Sequence, residues 1–312
     1  MDILSIFLVV GGLVLFETVS SIDNAVINAE VLSTMSQRAR RWFLIWGMLI
    51  AVFVVRGVLP FLIVFLTVPE LGPIGAITAT FSSDPKVVEA INKSAPMLLV
   101  GGGTFLLFLF FHWLFLEEKN LGLKGEKFFF KQGVWFYAVV SVLLSIIVWF
   151  ALKDNPLIAF GAVIGSTAFF ITHGFKENAK EAEEKLLSGN SAQSDLSKIF
   201  YLEVIDATFS IDGVLGAFAF TFSIPLILLG NGLGAVVVRQ LTIGNIERIK
   251  RYVFLKNGAM YSILALGTIM VLEGFHWHIP EWLSPIVTVI IIAYFFLKSQ
   301  KTDLNNVVTI GE

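Results

Sequence analysis

Glu17-Thr-Val-Ser-Ser-Ile-Asp23-Asn24 interrupts an apolar N-terminal stretch, and Asp206-Ala-Thr-Phe-Ser-Ile-Asp212-Gly213 repeats its pattern in the second half of the chain. Each copy carries two carboxylates six residues apart and contains Ser-Ile-Asp, Ser21 to Asp23 and Ser210 to Asp212. Both copies lie in segments that read as membrane helices, where a carboxylate at the bilayer centre costs about 2.5–3.5 kcal/mol on insertion scales. Four carboxylates held at matched positions against that cost point to a cation site where two related halves meet.

The rest of the chain supports a membrane setting. Hydrophobic residues make up 56% of the 312 residues, with 30 Phe, and the mean hydropathy is +0.82. A soluble domain is thereby excluded, and the length fits one membrane bundle. The absence of cysteine excludes disulfides, thiolate metal sites and thiol redox chemistry. Met1-Asp2 lacks the basic start of a signal peptide, so the first apolar run is expected to remain as a helix.

The predicted fold class is an all-α integral membrane protein with about nine transmembrane helices, at about 3–32, 43–68, 96–117, 134–152, 156–174, 198–221, 224–244, 253–273 and 283–298. The first is too long for a straight span and is expected to tilt, or to break around Ser20 to Asn24. With the N-terminus outside, 17 of the 22 Lys and Arg fall on inner segments and three on outer loops; the other two, Arg56 and Arg239, lie within helices. The positive-inside rule then places the N-terminus outside and the C-terminus in the cytoplasm. The charged stretch from Lys176 to Ser197 reads as a solvated linker beginning with a short helix.

The repeat extends beyond the acids. Gly47-Met-Leu-Ile-Ala-Val-Phe-Val-Val-Arg56 in the second helix is matched by Gly230-Asn-Gly-Leu-Gly-Ala-Val-Val-Val-Arg239 in the seventh. The first helix enters from outside and the sixth from inside, so the copies have inverted topology, a common plan of secondary transporters with midplane ion sites. Residues 1–118 form the first three-helix repeat and 119–197 the connecting helices and inner linker. Residues 198–274 form the inverted repeat, and 275–312 the last helix and cytoplasmic tail.

Six steps of about 100° leave the paired acids about 120° apart on an unbroken helix, so unwinding at Ser-Ile-Asp is expected to let them converge. Glu17, Asp23, Asn24, Glu203, Asp206 and Asp212 are the expected metal ligands. Arg56 and Arg239 balance charge, which leaves three negative charges in excess for a cation and a proton to offset. For Glu203 a position at the inner end of its helix, reaching water, is the alternative. Oxygen-only ligands favour a hard ion, Mn²⁺, Mg²⁺ or Ca²⁺. Gly101 to Gly103 and the Gly230 and Gly234 pair read as close helix packing. His112 reads as packed or interfacial, and His276 and His278 as exposed loop residues. No Ser/His/Asp set, metalloprotease motif or Walker loop occurs, and Phe-Ser-Ile precedes Asp212 where an intramembrane aspartic protease needs Gly-x-Gly. The chain therefore reads as a non-enzyme, without catalytic residues or a tightly bound cofactor.

At Glu17, Ser21-Ile22-Asp23-Asn24, Asp206 and Phe209-Ser210-Ile211-Asp212 the chain resembles the TerC family of bacterial integral membrane proteins. Arg56, Arg239 and the glycine-rich stretch from Leu99 to Leu106 extend the resemblance, which covers residues 5–117 and 198–272. It implies a place in the bacterial cytoplasmic membrane, manganese export and tellurite resistance, and kinship with lysine-exporter-like transporters. The chain departs from the family in Gly213, where a small polar residue is usual, and in its extra helices and larger linker. The expected function is divalent cation export by alternating access, with manganese favoured; a non-transporting scaffold of a stress-resistance complex is the alternative. Lipids, a divalent cation and protons are the expected partners, without nucleic acid.

Overall fold

The computed structural model describes residues 3–47, 49–50, 58, 61–62, 65, 72–79, 85–118, 122–187, 195–244 and 251–310. Among these, the regular structure is helical throughout. The helices are α1 (Ile3–Ser20), α2 (Ile22–Ser33), α3 (Gln37–Trp42), α4 (Gly72–Ala79), α5 (Pro85–Leu116), α6 (Glu126–Lys131) and α7 (Phe136–Asp154). They continue with α8 (Pro156–Leu187), α9 (Asp195–Ala217), α10 (Ile224–Gly244), α11 (Leu255–Gly274) and α12 (Leu283–Ile310). A π-helical turn, Phe43–Gly47, extends α3.

Six of the described helices contain a stretch long and apolar enough to cross a membrane: Ile3–Ser20, Ser94–Leu116, Gly133–Asp154, Pro156–Asn178, Leu255–Gly274 and Leu283–Thr302. A shorter apolar helix spans Ile224–Gln240. The chain is a multi-pass membrane protein. Of the nine expected spans, the one at 43–68 lies largely outside the described residues, and α9 carries too many charges to qualify by composition. The stretch expected as an outer loop between 68 and 95 contains α4 and the start of α5 instead. The last helix runs on to Ile310 rather than ending near 298.

The expected break in the first helix falls at Ser21, a single turn residue between α1 and α2. The backbone bonds Ser21 N–H to Glu17 C=O (3.1 Å) and Ala25 N–H to Ser21 C=O (2.9 Å) persist across it. The segment is therefore not unwound, and the Thr18 and Ser20 hydroxyls bond back to the Val14 and Glu17 carbonyls beside it. In α9 no break occurs: Ser210 to Asp212 lie inside a continuous helix. The expected unwinding of the second motif is thus corrected, because the i→i−4 ladder closes through Ser-Ile-Asp without interruption.

Lipid tails are as apolar as leucine, so helices in a membrane associate by close packing at small residues. Gly103 of α5 faces the Gly267 carbonyl of α11, and Gly101 of α5 faces the Gly161 carbonyl of α8. Gly230 of α10 seats Leu13 of α1. Both glycine clusters are packing surfaces, as their sequence suggested. Between α5, α7 and α8 lies an aromatic core, in which Phe169 meets Phe105 and Phe108 edge-on at 6.0 and 5.7 Å. Glu126 is buried and saturated: it accepts from Gly122 N–H at 2.7 Å and from the Asn257 amide, and so fastens the α5–α6 loop to α11.

Candidate functional site

Glu17 is 1% exposed. Its burial follows from two glycines on neighbouring helices. A Cβ at Gly213 of α9 would stand 2.6 Å from Glu17 Oε2, and one at Gly234 of α10 would stand 2.6 Å from Glu17 Cβ. Gly234 leaves room for the base of the Glu17 side chain and Gly213 for its carboxylate as it stands, so a side chain at 213 would turn the carboxylate away. Ser21 completes the pocket by donating its hydroxyl to Glu17 Oε1 at 3.1 Å. The first acidic motif thus packs directly on the last residue of the second.

Asp212 lies one residue before that contact and points another way. It forms an ion pair with Lys176 of α8, with the two side chains 13% and 11% exposed. This corrects the reading of Lys176 as part of a solvated linker. Helix α8 does not stop near 174; it continues unbroken to Leu187 and carries Lys176 into the bundle against α9. Burying an unpaired carboxylate or ammonium costs far more than burying a matched pair, which gives both residues a reason to meet.

Asp206 is buried. Glu203, one turn earlier on α9, lies within electrostatic reach of Asp206 and of Arg239. Its Oε1 sits over Gly47, where a methyl group would overlap it. Arg239 donates to the Phe43 carbonyl at 2.7 Å and lies over the Phe43 ring at 4.3 Å, so it both holds α10 to the segment after α3 and faces Glu203. The side chains of Asp23 and Asn24, and the whole of Arg56, lie outside the described residues.

The structure therefore groups the expected residues into three neighbourhoods: Glu17 with Gly213 and Gly234, Asp212 with Lys176, and Glu203 with Asp206 and Arg239. Because α9 is continuous, Asp206 and Asp212 face different neighbours. Among the described residues, no three of His, Asp and Glu come together in a metal-holding arrangement. Several buried polar atoms have no hydrogen-bond partner among the described residues: Asn28 Oδ1, Glu203 Oε1, Asp212 Oδ1 and both amide atoms of Asn231. A buried unpaired oxygen is costly and is a ready ligand for a hard cation.

Sequence reasoning missed Lys176 and Asn231. Asn231 is fully buried on α10, three residues before Gly234. A lone amide in an apolar helix was a visible signal, hidden by reading its Gly-Asn-Gly setting as packing alone. Lys176 gave less warning, because a lysine just past an apolar run ordinarily marks the membrane edge. His112 is half-buried and packs on Phe136 as expected, with His173 as an additional partner at a ring separation of 4.1 Å.

Residues 22–306 match a family described as "Protein of unknown function (DUF475)". The chain is also similar to an uncharacterized membrane protein, YceF, of Bacillus subtilis strain 168, with 28% identity over 133 residues. That alignment covers 41% of the chain and 51% of YceF, so the chain spans about half the length of the curated relative it matches. No solved structure matches the chain.

Proposed function

The chain belongs to the family described as DUF475, and for this multi-pass membrane protein we propose transport of a hard divalent cation by alternating access at the Glu17–Asp212 level of the bundle. One observation carries the reading: a fully buried carboxylate from the first acidic motif rests on the backbone of the second, at Gly213, beside Asp212. Intramembrane carboxylates are expensive and mark ion pathways. The unpartnered oxygens of Asp212 and Asn231 add neutral and charged ligands of the kind Mn²⁺, Mg²⁺ and Ca²⁺ prefer. Manganese export across the bacterial cytoplasmic membrane, with the N-terminus outside, is the specific form that the resemblance to the TerC family and the lysine and arginine distribution support.

The contacts also support two inverted repeats. If Asp206 corresponds to Glu17, then Glu203 corresponds to Val14 and Gly47 to Gly230. Gly47 meets α9 at Glu203, while Gly230 meets α1 at Leu13, next to Val14. The same kind of glycine thus receives matching turns of the two acidic helices.

In this reading Lys176 is the resident positive charge of the site. It neutralises Asp212 when no cation is bound and gives way when one arrives, which keeps the membrane interior free of uncompensated charge. The same pair favours a second reading, a non-transporting scaffold in which Asp212 and Lys176 only fasten α9 to α8. The two separate in one assay. Purified protein in liposomes is followed for Mn²⁺ movement with an internal quenchable dye, with Mg²⁺ and Ca²⁺ as competitors. The transport reading expects saturable flux in the wild type, lost in Asp212→Asn and in Glu17→Gln. Wild-type protein that is folded yet carries no ion, or flux indifferent to both substitutions, would sink it in favour of the scaffold.

A further inference from the structure

A cavity of about 580 Å³ opens at the end of the bundle where α9 and α11 finish and α10 and α12 begin. Its floor comes from the turn after α9, with Phe218, Phe220 and Phe222, and its rim from the α11–α12 connection. Glu273, Glu281 and His278 line it, and no Lys or Arg does so among the described residues. His276, also on the rim, is engaged with Asp154, with its Nε2 3.2 Å from the carboxylate. The cavity is therefore a concave surface of one sign of charge with low-dielectric aromatic walls, a shape that focuses field lines and concentrates counter-ions.

The floor of this cavity packs on the helix that carries Glu17. Phe220 packs on Phe16 of α1 with ring centroids 5.9 Å apart, and both rings are almost fully buried. Glycines hold them there: Phe220 rests on Gly12, and Phe16 on Gly216. Phe16 directly precedes Glu17. Along α9, Gly213 meets Glu17, Gly216 meets Phe16, and Phe220 stands at the cavity, so the ring pair lies between the cavity and the Glu17 level of that helix.

We propose that this cavity is a vestibule that collects a hydrated divalent cation, and that Phe220 is the gate between it and Glu17. Size fits the hydrated ion: six waters occupy roughly 180 Å³ at about 30 Å³ each, well within the cavity. The cavity has about three times that volume, so Glu273 and Glu281 attract the ion with its water shell intact. Water is stripped only past Phe220, where the Glu17 carboxylate replaces it. The gate rests on the transport reading of the Glu17 site; the collecting role of the vestibule does not.

The absence of cysteine from the chain makes the test direct. In Thr221→Cys, whose reporter lines the cavity, reaction rates with a cationic and an anionic methanethiosulfonate are compared before and after Glu273→Gln plus Glu281→Gln. The expected result is a loss of cationic preference on the order of tenfold, the scale of focusing by a one-signed cleft, and slowing of the cationic reagent by added Mn²⁺. A ratio that the two substitutions leave unchanged would overturn the collecting role. Protection by tetramethylammonium in place of Mn²⁺ would overturn the divalent assignment.

For the gate, Ser21→Cys lies beyond the Phe16–Phe220 contact, and with reagent supplied only from the vestibule side of sealed proteoliposomes it is expected to react only when Phe220 is replaced by Ala, or by Leu should Ala fail to fold. An unreactive Ser21→Cys in folded Phe220 variants would overturn the gate. Absence of Mn²⁺ flux in the wild type, with charge-selective labelling retained, would instead remove the transport reading and leave the vestibule.

Discussion

Gly213 and Gly234 both make room for Glu17, yet they touch different parts of it. At Gly213 an added methyl meets the carboxylate oxygen, the free end of a flexible side chain; at Gly234 it meets Cβ and Cγ, and lies 3.1 Å from the Val14 carbonyl. The first clash is relieved by turning the carboxylate away, the second only by separating α1 from α10. Gly213→Ala is therefore expected to cost less than about 1 kcal/mol, with the gain in helix propensity offsetting part of the strain. Gly234→Ala is expected to cost about 1–3 kcal/mol. Thermal unfolding in detergent checks the order. In the flux assay, Gly213→Ala should lose most transport despite its near-normal stability, because it moves the carboxylate and little else.

At the scale of elements, the two acidic helices are tied together at the end of the bundle away from the vestibule. Ser36, the N-cap of α3, donates its hydroxyl to Asp195 at the start of α9, and Lys198 donates to the Thr34 hydroxyl and carbonyl. The Ser36 hydrogen bond, helped by Lys198, holds the Asp195 carboxyl below its ordinary value of 3.8. A folded-state pKa below the unfolded one contributes stability that is complete above the unfolded value and is lost as pH falls through the folded one. The clasp is thus expected at full strength at neutral pH and to weaken only below about pH 4. The stability difference between wild type and Ser36→Ala should be constant from pH 8 to pH 5 and shrink in more acidic buffer towards the part that the Ser36 cap on Ala39 N–H contributes at every pH. A difference that grows on acidification would mean that the carboxyl pKa is raised by folding instead.

Across the whole molecule, glycine contacts set which helices are neighbours. α5 is central: it meets α11 through Gly103 and Gly267 and α8 through Gly101 and Gly165. A Cβ on Gly165 would collide with the Gly101 carbonyl, a backbone atom that cannot step aside. Gly165→Leu is therefore expected to force α8 off α5 and, with it, Lys176 away from Asp212. The cost is about 1–3 kcal/mol or more, the usual range for overpacking. Folded yield and melting temperature in detergent report the first effect. Cation flux reports the second, through a residue 11 positions along α8 from the substitution.

Hydropathy and helix-length patterns were enough to identify a helical membrane protein, because a bilayer requires every spanning backbone group to be satisfied within its own helix. The paired acids, the interruption at Ser21 and the packing glycines were legible for the same local reason: charge in an apolar run and a missing side chain are visible without knowing any neighbour. What the sequence could not supply was the facing of each side chain. Six-residue spacing put Asp206 and Asp212 on different sides of α9, and only the packing of α8, α1 and α10 around that helix decided which partner each side receives. Lys176 joined the site because α8 continues past the apolar stretch and turns that residue inward. Asn231 joined the buried polar set through the same packing of α10 on α1. Those outcomes depend on rotation and register between helices, which are set by contacts distant in sequence.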